Sequence, residues 1–262
     1  MPGRPAPRRP ARLARDSRDA RSAGGDGDQS GGERFTAAGI QVLFDEPGLL
    51  AVNKPAGISL FADRHEPAQW WPLLQERFGV VLPVHRLDKG TSGVLLLARV
   101  PALQQHLNRL FLRGGVRKFY VARATGQLRL SGTGTIDLPL MKGRKSRYRI
   151  AGERAAIARQ GDRWSLPGQP RPEGHASKTR LRVLATAPGY QRLLLRPLTG
   201  RTHQLRVHLA WIGHPLLGDH LYGRPGDPAQ HWPRLALHCH RLVLPLPDGR
   251  VVSVVSPVPA AF

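Results

Sequence analysis

From Ile40 onward, apolar side chains recur in short runs cut by turn residues, whereas the first 34 residues carry almost none. The segment IQVLFDEPGLLAVNKPAG predicts strands at Ile40–Phe44 and Leu49–Asn53 around an Asp-Glu-Pro-Gly turn. Helical spacing predicts a helix over 67–79 that stops at Gly79, and a second over 101–112 with Pro101 at its start. In the second, Leu103, Leu107, Leu110 and Phe111 share one face. Val94–Ala98 is a continuous apolar run of strand length, and Lys118–Ala124 alternates as a strand. Further strands are expected at 179–186, 190–197, 240–246 and 250–255, with a helix at 202–212. The stretch 142–178 shows little periodicity and reads as loops or a frayed hairpin. Strands joined mostly by short turns, with a few helices among them, indicate an α+β domain with a mixed, mostly antiparallel sheet.

Composition sets the limits. Residues 1–34 are rich in Arg, Ala, Gly, Asp and Ser and cannot offset the entropy of ordering, so a disordered Arg-rich tail is expected ahead of one domain at 35–262. No apolar run is long enough to cross a bilayer and the amino terminus lacks a secretory signal; with a single cysteine, Cys239, a reducing, cytoplasmic setting is expected. The charge is the strongest global signal: 40 basic residues stand against 18 acidic, and only +3 of the resulting +22 belongs to the tail. A domain that basic repels itself unless it meets a polyanion, and nucleic acid is the expected partner. The self-repulsion also makes a monomer the default. No phosphate-loop, dinucleotide, zinc-protease or serine-hydrolase motif occurs, and the eleven histidines show no metal-ligand spacing, so no metal and no nucleotide cofactor are expected.

Three segments carry candidate chemistry. In His85-Arg86-Leu87-Asp88-Lys89-Gly90-Thr91-Ser92-Gly93, a carboxylate flanked by cations stands at the edge of a buried strand. Asp88 either caps its own turn through Thr91 and Ser92 or is held ionised for nucleophilic or electrostatic work. In Leu198-Thr199-Gly200-Arg201-Thr202-His203-Gln204-Leu205-Arg206, Thr199 or Thr202 can cap the following helix. Arg201 is then at a helix amino terminus, where the dipole disfavours a cation; it is either solvated or faces an anion such as a phosphate or Asp88. Along Arg117-Lys118-Phe119-Tyr120-Val121-Ala122, Tyr120 shares a face with Lys118, either as a packing tyrosine or as a base-stacking and proton-handling group.

Taken in order, AVNKPAG, HRLDKGTSGVLLLA, KFYVA and LTGRTHQLRVHLAWIGHPLLGDHLYG resemble the RluA-type pseudouridine synthases, which isomerise uridine to pseudouridine in structured RNA. The resemblance spans roughly 40–262 and implies the pseudouridine synthase fold with a central cleft. It implies Asp88 as catalytic aspartate, Tyr120 as active-site tyrosine and Arg201 as the arginine that pairs with the aspartate. Arg86 matches the position that helps hold the opened RNA loop, and Lys54, Lys118, His203 and Arg206 are expected to join it in RNA contact. RLALHCH, near 234–240, resembles a further family motif, with Cys239 where the family commonly has Ala. The tail is too short and polar for the S4-like RNA-binding domain of many relatives, so RNA contact falls to the catalytic domain. The insert at 142–178, with ten basic and three acidic residues, is the expected place for added phosphate contacts. The implied substrate is a ribosomal or transfer RNA stem-loop, ribosomal RNA placed first, with the target base extruded. The alternative is a non-catalytic RNA-binding or ribosome assembly factor on the same scaffold.

Overall fold

The computed structural model describes residues 36–62, 70–144, 147–168, 170–224, 226–260 and 262, all within one unit, Phe35–Phe262. The tail at 1–34 and the first residues of the helix expected at 67–79 lie outside the described residues. Strands β1 (Val42–Glu46) and β2 (Leu49–Lys54) form the hairpin expected around Gly48. Helix α1 (Trp71–Phe78) ends at Gly79, and helix α2 (Pro101–Arg113) ends at a left-handed Gly114. Between them lie β3 (Leu82–Pro83) and β4 (Ser92–Ala98), followed after α2 by β5 (Arg117–Thr125).

Every position of β4 is buried, and the two faces feed different cores. Val94, Leu96 and Ala98 pack with the Leu107 face of α2, while Leu95 and Leu97 pack with Trp70 and Leu74 around α1. Helices on both sides remove any reason for polar alternation, hence the uninterrupted apolar run. Long antiparallel strands β11 (Lys178–Ala187) and β12 (Tyr190–Pro197) precede helix α3 (Gln204–Trp211), and β13 (Leu237–Pro245) pairs with β14 (Val251–Val255).

The segment expected as loops or a frayed hairpin, 142–178, is more ordered than its sequence suggests. Strands β6 (Gly134–Asp137) and β7 (Leu140–Lys142) lead into it, and it holds β8 (Tyr148–Ile150), β9 (Ala158–Gln160) and β10 (Arg163–Ser165). Strands of three residues are too short for alternation to register, and their stability comes from anchors such as Ile150 and Trp164 buried in the core. The strands β7 and β8 make a separate hairpin. Much of the insert's positive charge is engaged internally: Arg163 and Lys178 both reach Asp137 (2.7 and 2.9 Å), and Arg149 and Arg171 both reach Glu153 (3.4 and 2.9 Å).

Among the described residues, twelve strands form one sheet in the order β1-β2-β4-β13-β5-β12-β11-β6-β10-β9, with β14 beside β13 and β3 beside β4. The β13–β4 and β10–β6 pairs are parallel and the others antiparallel, which is the mixed, mostly antiparallel α+β sheet expected. Strand β13 begins three residues before its expected start, and the added stretch carries a polar residue sealed inside: His238 is fully buried between Ser92 Oγ (2.8 Å) and the Ser256 carbonyl (3.3 Å). One cross-strand row, Gly93, Cys239, Tyr120 and Leu195, runs across the middle of the sheet and locates the site. Gly93 has φ 111°, and a Cβ there would drive into the Cys239 backbone, so only glycine lets β4 and β13 meet.

Candidate active site

A cleft of about 540 Å³ opens at Tyr120 of that row. Its walls come from the Val84–Asp88 segment before β4, the end of α2, Lys118 and Tyr120 on β5, and the Thr199–Arg206 segment between β12 and α3. The three sequence segments singled out for their chemistry thus converge on one cavity of ligand-binding size.

The turn bearing Asp88 is pinned from both sides. Thr91 N–H donates to the Asp88 carbonyl at 3.0 Å, so the backbone closes the turn without the side chain. Upstream, His85 Nε2 accepts from Leu96 N–H at 2.9 Å while its ring stacks on Phe111 at 4.7 Å. Burial lowers the His85 pKa to about 3, which keeps the ring a neutral acceptor. From beneath, Lys54 Nζ donates to the carbonyls of Pro55, Lys89 and Thr91. Lys54 is fully buried, so its assignment to RNA contact is corrected: the ammonium has no path to a phosphate and instead ties the loop to the sheet.

Freed from capping, the Asp88 carboxylate faces the cleft, 21% exposed, with Arg206 Nη1 and His203 Nε2 each 3.8 Å from its Oδ2. The expected pairing with Arg201 is also corrected. Arg201 is exposed on the cleft wall, and its Nε donates to the Ala176 carbonyl at 3.4 Å. The arginine beside Asp88 is Arg206, one helical turn further on, because α3 starts at Gln204 and carries Arg206 inward while Arg201 precedes it. Neither threonine caps this helix. Gln204 Oε1 accepts from Thr199 Oγ1 (2.7 Å) and Arg201 N–H (3.1 Å), and its Nε2 donates to the Lys178 carbonyl and Thr179 Oγ1 (3.0 Å each).

Arg206 is held more tightly by another carboxylate: its Nε and Nη2 donate to Asp219 at 2.9 and 2.7 Å. Burial opposes the Arg206 charge, but hydrogen bonds and attraction from Asp219, with Asp88 and Tyr222 behind, raise its pKa and keep it cationic. His203 has φ 56°, the one positive φ outside glycine among the described residues, which turns its ring toward the cleft. Tyr148 N–H donates to Tyr222 Oη at 2.9 Å, and Tyr222 Oη lies 2.8 Å from His203 Nδ1. With the phenol donating to Nδ1, the ring proton sits on Nε2, aimed at Asp88. Burial lowers the His203 pKa despite Asp88, so at neutral pH this contact is dipolar and Arg206 supplies the cation.

Tyr120 lines the same cleft. Burial, then the neighbouring Cys239 thiol and the Asp88 charge, raise its pKa well above the usual phenol value. A neutral phenol stacks and hydrogen-bonds; it does not stand as a phenolate base. Lys118, on the same face, is nearly buried, with Nζ 3.4 Å from the Thr199 carbonyl, and burial lowers its pKa. Arg86 is exposed at the cleft wall.

Sequence reasoning missed Asp219, Tyr222 and Tyr148. Asp219 carries a legible signal: an acid set within Leu216-Leu217-Gly218-Asp219, 1% exposed, requires a buried cation, and Arg206 is the arginine that meets it.

Comparison with known proteins identifies the family. The profile of the RNA pseudouridylate synthase family matches residues 48–211, which include Asp88, Tyr120 and Arg206. An uncharacterized RNA pseudouridine synthase of Zymomonas mobilis is 32% identical over 85% of this chain and 95% of its own length. The dual-specificity RNA pseudouridine synthase RluA of Escherichia coli is 32% identical over 79% of this chain and 88% of its own. Among solved structures, human RNA pseudouridylate synthase domain containing 1 superposes with TM-score 0.68 at 28% identity, covering 87% of this chain and 86% of that one. Fold and family together define an RNA-modifying isomerase. The chain belongs to the RNA pseudouridylate synthase family and is an RluA-type enzyme of that family.

Proposed function

We propose that Asp88 is the catalytic aspartate of this synthase, acting on a uridine extruded from a structured RNA stem-loop into the cleft. The observation that carries this reading is the free carboxylate: Asp88 faces the cavity with Arg206 at 3.8 Å and is not spent on its own turn. Isomerisation breaks the bond from C1′ to N1, turns the bound uracil, and joins C5 to C1′; the C5 proton leaves and N1 takes one up, so no atom is gained. Asp88 can attack C1′, attack C6, or remove a ribose proton, and in each route an anion must exist where Arg206 and the His203 N–H stabilise it without capping it. Tyr120 supports the reading as a neutral ring that stacks on the uracil and hydrogen-bonds it during the turn. Arg86 and Arg201, exposed at the rim, suit the displaced phosphates.

The relatives' dual specificity suggests that this chain also accepts more than one RNA. The test is incubation with ribosomal and transfer RNA transcripts, followed by carbodiimide derivatisation and mapping of alkali-resistant adducts. Adducts at discrete loop uridines are expected; none in either RNA class, or adducts scattered over duplex uridines, overturns the reading.

A further inference from the structure

We infer that Asp219 is a positioning residue for catalysis: it fixes the spacing between Arg206 and Asp88. The inference rests on Asp88 as the catalytic group. The contrast in distance is its basis. Arg206 reaches Asp219 through two bonds of 2.9 and 2.7 Å but stops 3.8 Å short of Asp88. A guanidinium free to choose between two carboxylates would close on the catalytic one and form a fork-to-fork pair, consuming the lone pairs that chemistry needs. Held by Asp219, Arg206 supplies its charge at a distance and leaves Asp88 open to substrate.

Asp219 also organises the second group that faces Asp88. Its Oδ1 accepts from Leu221 N–H and Tyr222 N–H (3.1 Å each), which shapes the turn placing the Tyr222 hydroxyl 2.8 Å from His203 Nδ1. The Tyr222 ring lies 5.1 Å from the Arg206 guanidinium and covers its face. The turn itself is seated by Gly218, at φ 68°, where a Cβ would collide with the Arg234 carbonyl. Asp219 is 1% exposed and does not line the cleft, so it touches neither substrate nor solvent. It acts through Arg206 and Tyr222.

The test compares Asp219→Asn, Arg206→Lys and the double variant in single-turnover rate at saturating RNA, RNA Kd, and the salt slope of Kd. Asp219→Asn is expected to slow turnover of bound RNA about 100-fold, the scale of an ångström-level misplacement, with Kd and its salt slope unchanged. Arg206→Lys keeps the charge but cannot make two parallel bonds, so it should slow turnover similarly, and adding Asp219→Asn to it should cost little more. Full turnover in a folded Asp219→Asn variant, or in Arg206→Lys, overturns the inference, as does a double variant in which the two losses multiply. Should Asp219→Asn not fold, Arg206→Lys alone decides. Asp88→Asn is measured in parallel: if it retains turnover, the reading of Asp88 has failed, a result separate from any Asp219 outcome.

Discussion

Lys54 and Thr91 are joined by a buried ammonium. Lys54 Nζ donates to the Thr91 carbonyl at 3.0 Å and, with the Pro55 and Lys89 carbonyls at 2.8 and 3.2 Å, meets three acceptors with its three protons. The contact spans the loop that leads from Asp88 into β4, so the turn bearing Asp88 is anchored by a side chain that never meets solvent.

That burial has a pH signature. It lowers the Lys54 pKa from 10.5 to about 7, with Arg234 adding to the shift and Asp88 opposing it. Between about pH 7 and pH 10 the unfolded chain holds this proton more firmly than the folded one, so the Lys54 contribution to stability rises with pH across that window. Urea denaturation of wild type and Lys54→Met at pH 7 and pH 9.5 checks it: the wild-type advantage should grow at the higher pH. Parallel curves would contradict the burial argument.

His208 gives the opposite end of the scale. It is fully buried, with Nδ1 3.0 Å from Thr179 Oγ1 and Nε2 2.9 Å from the Leu138 carbonyl, and burial lowers its pKa to about 4. The neutral ring donates from Nε2 and accepts at Nδ1, while Gln204 Nε2 donates to the same threonine oxygen. As pH falls from about 6.5 to 4, the unfolded state takes up the proton first, so this stability is present above pH 6.5 and lost on acidification. His208→Asn should be less stable at pH 7 and should lose less on going to pH 4.5; an equal loss would show that another group governs acid unfolding.

Gly93→Ala should unfold the seam between β4 and β13. The substitution combines a left-handed φ with direct overlap on the Cys239 backbone, and a loss of at least about 3 kcal/mol is expected from strain and displacement together. Denaturant midpoints report it. A loss below about 1 kcal/mol would mean that the two strands part easily.

The two arginines of the Thr199–Arg206 segment should separate cleanly. Arg206→Ala removes the cation beside Asp88 and should cut turnover of bound RNA on the order of 100-fold or more, with Kd within a few-fold. Arg201→Ala removes a rim cation and should instead weaken affinity and lower the salt slope by about one, with turnover at saturation unchanged. The reverse pattern would restore the pairing of Arg201 with Asp88.

The strands and helices with long periodic patterns were legible in the sequence, because α2 and the β11–β12 pair repeat their apolar positions over several turns or pleats. The bounds of the hairpin at 140–150 and the strands at 158–165 were not, since three-residue strands carry no period and depend on distant anchors such as Trp164. The site was legible as a set of segments but not as contacts. Arg201 and Arg206 look alike in a motif, and only the start of α3 decides which one turns inward. Lys54 looked like a surface cation because lysine rarely occurs fully buried, and three backbone carbonyls brought together by folding cannot be read from composition. Asp219 is legible as an acid in an apolar setting, but its contact with Arg206, thirteen residues away, is not.

The most direct measurement is the single-turnover rate of pseudouridine formation by Asp88→Asn with RNA at saturation, alongside its RNA Kd. The substitution keeps shape and removes one negative charge from the cleft. Loss of detectable product with Kd within a few-fold of wild type is the predicted result; product formed at the wild-type rate would contradict the assignment of the chemistry to Asp88.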